Sequence, residues 1–276
     1  MGTYLNPGKT AYEEAINSEI FIDKSEMIMF LNSVLKTKQK YVSVSRPRRF
    51  GKTMAADMIC AYYDREAKSR DLFEERLLAK CEPIIAGNQT ITWDGYLGHF
   101  DVIRIVMTKF LKKNTTAAQA LENMQRLVIR DYKKAYPDVE LLSDNDLIQT
   151  IDDVYADNDR QVVLVIDEWD AFFRERKDDK EGQKEYLDFL RDLMKDNTHV
   201  DLSYMTGILP IKKYGKHSAL NMFTEYSMMF PREMAPYTGF TEEEVKRECK
   251  KYGMDYGEVS DWYDGYTVSD RIPPEK

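Results

Sequence analysis

The chain has 276 residues, 43% hydrophobic and 32% charged, with a formal net charge of −8. That composition supplies a sizeable core and excludes a disordered chain, and the longest uninterrupted apolar run, Met58 to Tyr63, is six residues, too short for a membrane-spanning helix. Cys60, Cys81 and Cys249 form no spacing motif and no basic, apolar leader opens the chain, so a reducing cytoplasm is the expected setting.

Residues 11 to 36 read as an opening segment and a helix, with Ile28, Phe30, Leu31, Val34 and Leu35 on its apolar face. A short β-branched strand, Tyr41 to Ser45, follows. It runs into Arg46-Pro47-Arg48-Arg49-Phe50-Gly51-Lys52-Thr53 and a helix expected from Met54 to about Ala67.

A strand, a tight loop and a Gly-Lys-Thr that opens a helix form a phosphate-binding loop. Gly51 lets the backbone approach a phosphate, Lys52 brings an ammonium to the β- and γ-phosphate oxygens, and the Thr53 hydroxyl suits Mg²⁺. From Lys36 to Lys52 there are seven Lys or Arg and no acid, a local reversal of sign that marks an anion site in an acidic chain. The loop departs from the full pattern, because Arg46 stands where a glycine is usual. Arg46 and Arg49 lack the easy positive φ of glycine, and Pro47 offers no N–H. The Arg46 side chain is expected to turn away from phosphate toward an acid elsewhere, in the segment that carries Asp23. A basic surface turn is the other reading of the same string.

Extra helical or loop material is expected near 70 to 98, then a strand near Phe100 to Val106, a helix over 116 to 135 and another over about Asp144 to Tyr155. Val162 to Ile166 is continuously apolar and ends in Asp167-Glu168-Trp169-Asp170, as a strand buried on both faces would, with carboxylates at its C-terminal edge. Asp167 there can hold Mg²⁺ and Glu168 can polarise an attacking water. The alternative is that these acids end a strand and cap a helix. A charged stretch, Arg174 to Lys184, leads into a helix to Lys195, and a strand from Val200 to Met205 ends at Thr206-Gly207. Residues 208 to 235 read as loop-rich and 241 to 252 as a helix with Thr241 and Glu244 as its capping box. Trp262, Tyr263 and Tyr266 read as core packing or a docking patch. His99, His199 and His217 are too scattered for a zinc site or a Ser-His triad.

RPRRFGKT, the Asp-Glu-x-Asp after the apolar strand, Phe21-Ile22-Asp23-Lys24-Ser25, Thr206-Gly207-Ile208 and Trp262-Tyr263-Asp264-Gly265-Tyr266 together resemble the AAA-ATPase-like family of predicted bacterial P-loop ATPases, from about residue 12 to 268. The resemblance implies a P-loop NTPase of α/β class: a mostly parallel sheet flanked by helices, with a helical insertion and a C-terminal helical segment. It implies a core over 1 to 210, a lid-like segment over 211 to 276, ATP and Mg²⁺ as ligands, and Thr206 as a sensor of the γ-phosphate. Proteins of this kind often carry a restriction-endonuclease-like domain after the ATPase, for which this chain has no room, so it reads as part of a longer protein.

The function expected is Mg²⁺-dependent ATP binding with slow hydrolysis, used as a switch for a fused domain or a partner. Arg46 to Thr53 and Thr206 would contact nucleotide, Thr53 and Asp167 metal, and Lys52 and Glu168 would carry the chemistry. The alternative is a hydrolysis-deficient nucleotide-binding or protein-interaction module. ATP is chosen over GTP on the resemblance alone. An arginine to meet the γ-phosphate is not identified: Arg46, Arg48 and Arg49 crowd Lys52, and Arg232 and Arg247 are only candidates, so a second copy of the chain is left open as its source. Net acidity argues against nucleic acid as a partner of this chain alone.

Overall fold

The computed structural model describes residues 2–87, 89–112, 115–195, 197–211 and 220–263. A five-stranded parallel sheet forms the centre, built from β1 (Tyr41–Ser45), β4 (Asp101–Val106), β5 (Val162–Asp167), β6 (Val200–Gly207) and β7 (Thr224–Tyr226) in the order β4-β5-β6-β1-β7. The continuous apolar run of β5 is explained by burial on both sides, every residue from Val162 to Asp167 being enclosed.

Alternate residues feed two cores. Tyr41, Ile103, Ile105, Leu164, Ile166 and Met205 face α5 (Ala117–Ala135), α6 (Leu147–Asn158) and α8 (Lys180–Met194). Val42, Val44, Val102, Val163, Val165 and Tyr204 face α2 (Met27–Val34) and α3 (Lys52–Tyr63), with α1 (Thr10–Ile16) on the same side. The opening segment is therefore two short helices rather than one. Asn6 closes the β4 edge: its amide donates to Asp101 at 2.8 Å and its carbonyl accepts from the Val102 N–H at 2.8 Å.

Between α3 and β4 the chain forms α4 (Arg70–Phe73), a 3₁₀ turn (Leu77–Lys80) and an antiparallel hairpin of β2 (Ile84–Ala86) and β3 (Gln89–Ile91). Between β4 and β5 the chain forms α5 and α6, each opened by a side-chain cap, from Thr116 and Asp146 respectively. After β5 come α7 (Ala171–Glu175) and α8; past β7, a 3₁₀ turn (Arg232–Tyr237), α9 (Glu242–Tyr252) and α10 (Tyr256–Tyr263). The capping box of Thr241 and Glu244 is present. Because β7 pairs with β1, the sheet extends past residue 210. Trp262 is 82% exposed, so it is not core; Tyr266 and His217 lie outside the described residues.

Parallel register places the functional ends together. Ser45 is opposite Gly207, Val44 opposite Thr206, and Ile166 opposite Met205, so the loop after β1, the acids after β5 and the end of β6 share one edge of the sheet. No described helix is long and apolar enough to cross a membrane.

Candidate functional site

Gly51 sits at φ 73°, the left-handed turn that a glycine accepts without cost, and α3 starts at the next residue with no side chain capping its first amides. Those amides and the helix dipole point to the loop, an arrangement that favours an anion. Arg49 also adopts a left-handed conformation, φ 70°, despite its side chain. The backbone turn that glycines usually allow is thus imposed on an arginine, a local strain of the sort that gathers at functional sites.

The Lys52 ammonium donates to the carbonyls of Arg46 at 3.0 Å and Pro47 at 2.7 Å, so it lies across the mouth of its own loop. Partial burial lowers its pKa, against the pull of Asp167, Asp170 and Glu168. Beside it Thr53 Oγ1 donates to Asp167 Oδ2 at 2.9 Å, joining residues 114 apart in sequence. Thr206 donates from β6 to the other oxygen, Oδ1, which also takes the Glu168 N–H at 3.0 Å. Lys52, Thr53, Asp167, Glu168 and Thr206 are brought to one place, as their sequence contexts suggest.

Arg46 behaves differently from the rest of the loop. Its side chain is 1% exposed and runs under the loop, donating to Thr238 Oγ1 at 2.9 Å and to the carbonyls of Tyr226 at 2.7 Å and Ser45 at 3.0 Å. It turns inward as expected, but its partners are a hydroxyl and carbonyls, not an acid. Asp23 instead accepts from the Ser25 and Leu77 N–H groups, both at 2.9 Å. Burial pushes the Arg46 guanidinium down to about 10, which leaves it charged at neutral pH. Arg48 and Arg49 are exposed, and Arg247 pairs on the surface with Glu248 at 3.4 Å.

Two arginines to which the sequence alone gives no role belong to the site. Arg104, in the middle of apolar β4, donates to Asp57 at 3.2 Å and Asp167 at 3.3 Å. Its signal was available as a lone charge in Val-Ile-Arg-Ile-Val. Arg174, on α7, donates to Asp170 at 3.2 Å and Glu168 at 3.3 Å. Asp170 stands at the N-cap position of α7 without a side-chain cap; its fully buried carboxylate accepts instead from the Ile208 N–H at 3.1 Å and the Leu209 N–H at 2.9 Å, fixing the segment after β6. Gly207 fits because a Cβ there would come within 2.7 Å of the Trp169 indole nitrogen.

Next to the loop lies an open cleft whose walls are mostly apolar, among them Tyr12, Phe21, Met54, Met58, Tyr237 and Phe240. Its floor includes Phe50 and Gly51. Gly239, at φ 79°, is held against the loop: its N–H donates to the Phe50 carbonyl at 3.2 Å, and a Cβ would meet the Phe50 ring at 2.9 Å.

The residues fit a magnesium ion of the kind held by phosphates. Among the described residues no three of His, Cys, Asp and Glu gather into a metal site, but Thr53 Oγ1 and Asp167 Oδ2 converge beside the phosphate loop. Mg²⁺ characteristically takes one or two protein oxygens and fills its octahedron with phosphate and water.

A model of the AAA-ATPase-like family, described as predicted AAA-ATPase, matches residues 8–216. No curated protein matches the chain. Among solved structures the chain is similar to the Aeropyrum pernix ORC2 protein in its ADPNP-ADP complexes, at 10% identity with a TM-score of 0.37, over 90% of this chain and 65% of that one.

Proposed function

The chain belongs to the AAA-ATPase-like family, and from that premise we propose that it binds Mg-ATP at the end of β1 and hydrolyses it slowly, using the bound state as a switch. The observation that carries this reading is the convergence of Thr53 and Thr206 on the two oxygens of Asp167, directly beside Lys52. Lys52 would leave the Arg46 and Pro47 carbonyls for phosphate oxygens, a stronger partner because the contact becomes charge-assisted on both sides.

Thr53 and Asp167 would hold Mg²⁺, which supplies charge neutralisation between the β- and γ-phosphates. Glu168 would accept a hydrogen bond from water, and Thr206 would report on the γ-phosphate through Asp167. The apolar cleft beside Phe50 suits the base, since a flat ring can stack on aromatic walls while the phosphates stay in the polar loop. The segment that follows β7 would act as a lid over that cleft, a role supported by Gly239 and Phe240 lining it. A fused or partner domain would read the switch.

Calorimetric titration with ATP, with and without Mg²⁺, tests the reading. Lys52→Ala should weaken Mg-ATP binding about tenfold or more, because one charge-assisted contact is lost. Unchanged affinity in a folded variant would sink it. One observation favours a second reading, nucleotide binding without turnover: the Glu168 carboxylate is engaged by Arg174. Phosphate release measured on the same samples separates the two.

A further inference from the structure

Charge on a transferring phosphoryl group is met in many such enzymes by an arginine, worth about 10³ to 10⁵ in rate. Two of the arginines near the loop are committed elsewhere. Arg46 lies beneath the loop on Thr238 and Tyr226, and Arg104 is 8% exposed on Asp57 and Asp167.

Arg174 is held in another way. Its Nε end is anchored on Asp170, whose carboxylate is itself fixed by the Ile208 and Leu209 amides. Its Nη2 end reaches Glu168 at 3.3 Å, a long contact to a carboxylate that is 39% exposed. A contact of that length to so exposed a carboxylate is weak, so the Nη2 end is loosely held while the Nε end is not. The Arg174 charge also acts on the Lys52 ammonium, so the guanidinium is within electrostatic reach of the loop. Glu168 itself sits at φ 53°, a left-handed turn that aims its side chain rather than leaving it to choose.

Resting on the nucleotide reading above, we propose that Arg174 meets the γ-phosphate from within the chain, giving up Glu168 as it does so. Triphosphate oxygens are the better acceptor, because they carry more charge than a single carboxylate. The exchange frees the Glu168 carboxylate at the moment a water must be oriented. That water's oxygen bonds to the γ-phosphorus as the bond from phosphorus to the β–γ bridging oxygen breaks. One water proton passes to Glu168 and then to solvent, the bridging oxygen leaves on ADP, and the transferred group leaves as inorganic phosphate. Diphosphate cannot draw Arg174 across, so the product state restores the pair with Glu168.

The test is calorimetric affinity of the full chain for Mg-ADP and for Mg²⁺ with a non-hydrolysable imido triphosphate, in wild type, Arg174→Ala and Arg174→Lys, with single-turnover phosphate release. Affinity for ADP should stay within about twofold throughout, which also reports that each variant is folded. Triphosphate affinity should fall about tenfold in Arg174→Ala, as expected for one lost charge-assisted contact, with partial recovery in Arg174→Lys. Phosphate release should fall roughly a hundredfold or more in Arg174→Ala. Parallel losses for ADP and triphosphate would make Arg174 a structural anchor and overturn the proposal, as would unchanged affinities for both. Faster release in Arg174→Ala would make it a brake on Glu168 alone, and that also overturns it. Wild type that binds neither nucleotide would defeat the nucleotide reading and this inference together, whereas wild-type binding with an unaltered triphosphate preference in the variants defeats only the assignment of Arg174.

Discussion

Arg104 Nη2 lies 3.3 Å from Asp167 Oδ2, the same carboxylate oxygen that accepts the Thr53 hydroxyl. A guanidinium on β4 therefore shares that carboxylate oxygen with the helix that opens at the Gly51-Lys52-Thr53 loop. Arg104 also reaches Asp57 on α3, so it ties two acids together in a region where burial alone raises the Asp57 pKa.

Removing that cation takes away the guanidinium that both Asp57 and Asp167 pair with. Arg104→Met should destabilise the fold by about 3 to 5 kcal/mol, the cost of an orphaned buried partner. Adding Asp57→Asn should recover part of the loss. Urea unfolding of the two variants measures both, and an unfolding midpoint at the wild-type value would show that the pair carries no weight.

Arg46→Gly restores the glycine that phosphate loops usually have at this place, yet it should not improve ATP binding. The arginine is bonded at three points beneath the loop, and losing them should cost about 2 to 4 kcal/mol. Thermal unfolding reads the loss. Tighter ATP binding by the glycine variant would show that Arg46 obstructs the site rather than supporting it.

Glu168→Gln keeps size and a hydrogen-bonding group while deleting the charge that would orient water. Binding of Mg-ATP should persist and phosphate release should fall roughly a hundredfold or more. Release at the wild-type rate would remove Glu168 from the chemistry.

Lys52 gives a pH signature with opposite signs in two measurements. Its pKa in the nucleotide-free fold lies below the ordinary 10.5, because burial disfavours the charged ammonium. Above that lowered value the loop loses its cation, so ATP affinity should decline before pH 10.5 is reached. In the same window the unfolded chain holds the Lys52 proton more tightly than the native one, so stability of the nucleotide-free protein should gain with rising pH. Below the lowered pKa both states are protonated and the burial cost is fully present. Lys52→Met should flatten both trends, which calorimetry and chemical unfolding between pH 7 and 10 would register.

The phosphate loop, the buried strand with Asp167 and Glu168, and Thr206 at the end of β6 were legible because each depends on a short run of residues whose chemistry is local. The Thr241–Glu244 capping box and most helices were legible for the same reason. Arg174 and Asp170 were visible as letters, but their pairing depends on how α7 turns back toward Glu168 and the end of β6. The partners of Arg46 were hidden further still, since Tyr226 ends the three-residue β7 and Thr238 follows the 3₁₀ turn after it. The hairpin β2-β3 has three-residue strands, too short for a period to declare itself.

Arg46 and Thr238 are 192 residues apart and share a hydrogen bond. A chain emerging from the ribosome as far as Gly207 already contains Lys52, Thr53, Asp167, Glu168 and Thr206, but it offers Arg46 neither the Tyr226 carbonyl nor the Thr238 hydroxyl. Arg46 therefore gains its supports beneath the loop only once Thr238 has been made, although the loop itself, residues 46 to 53, is made well before it.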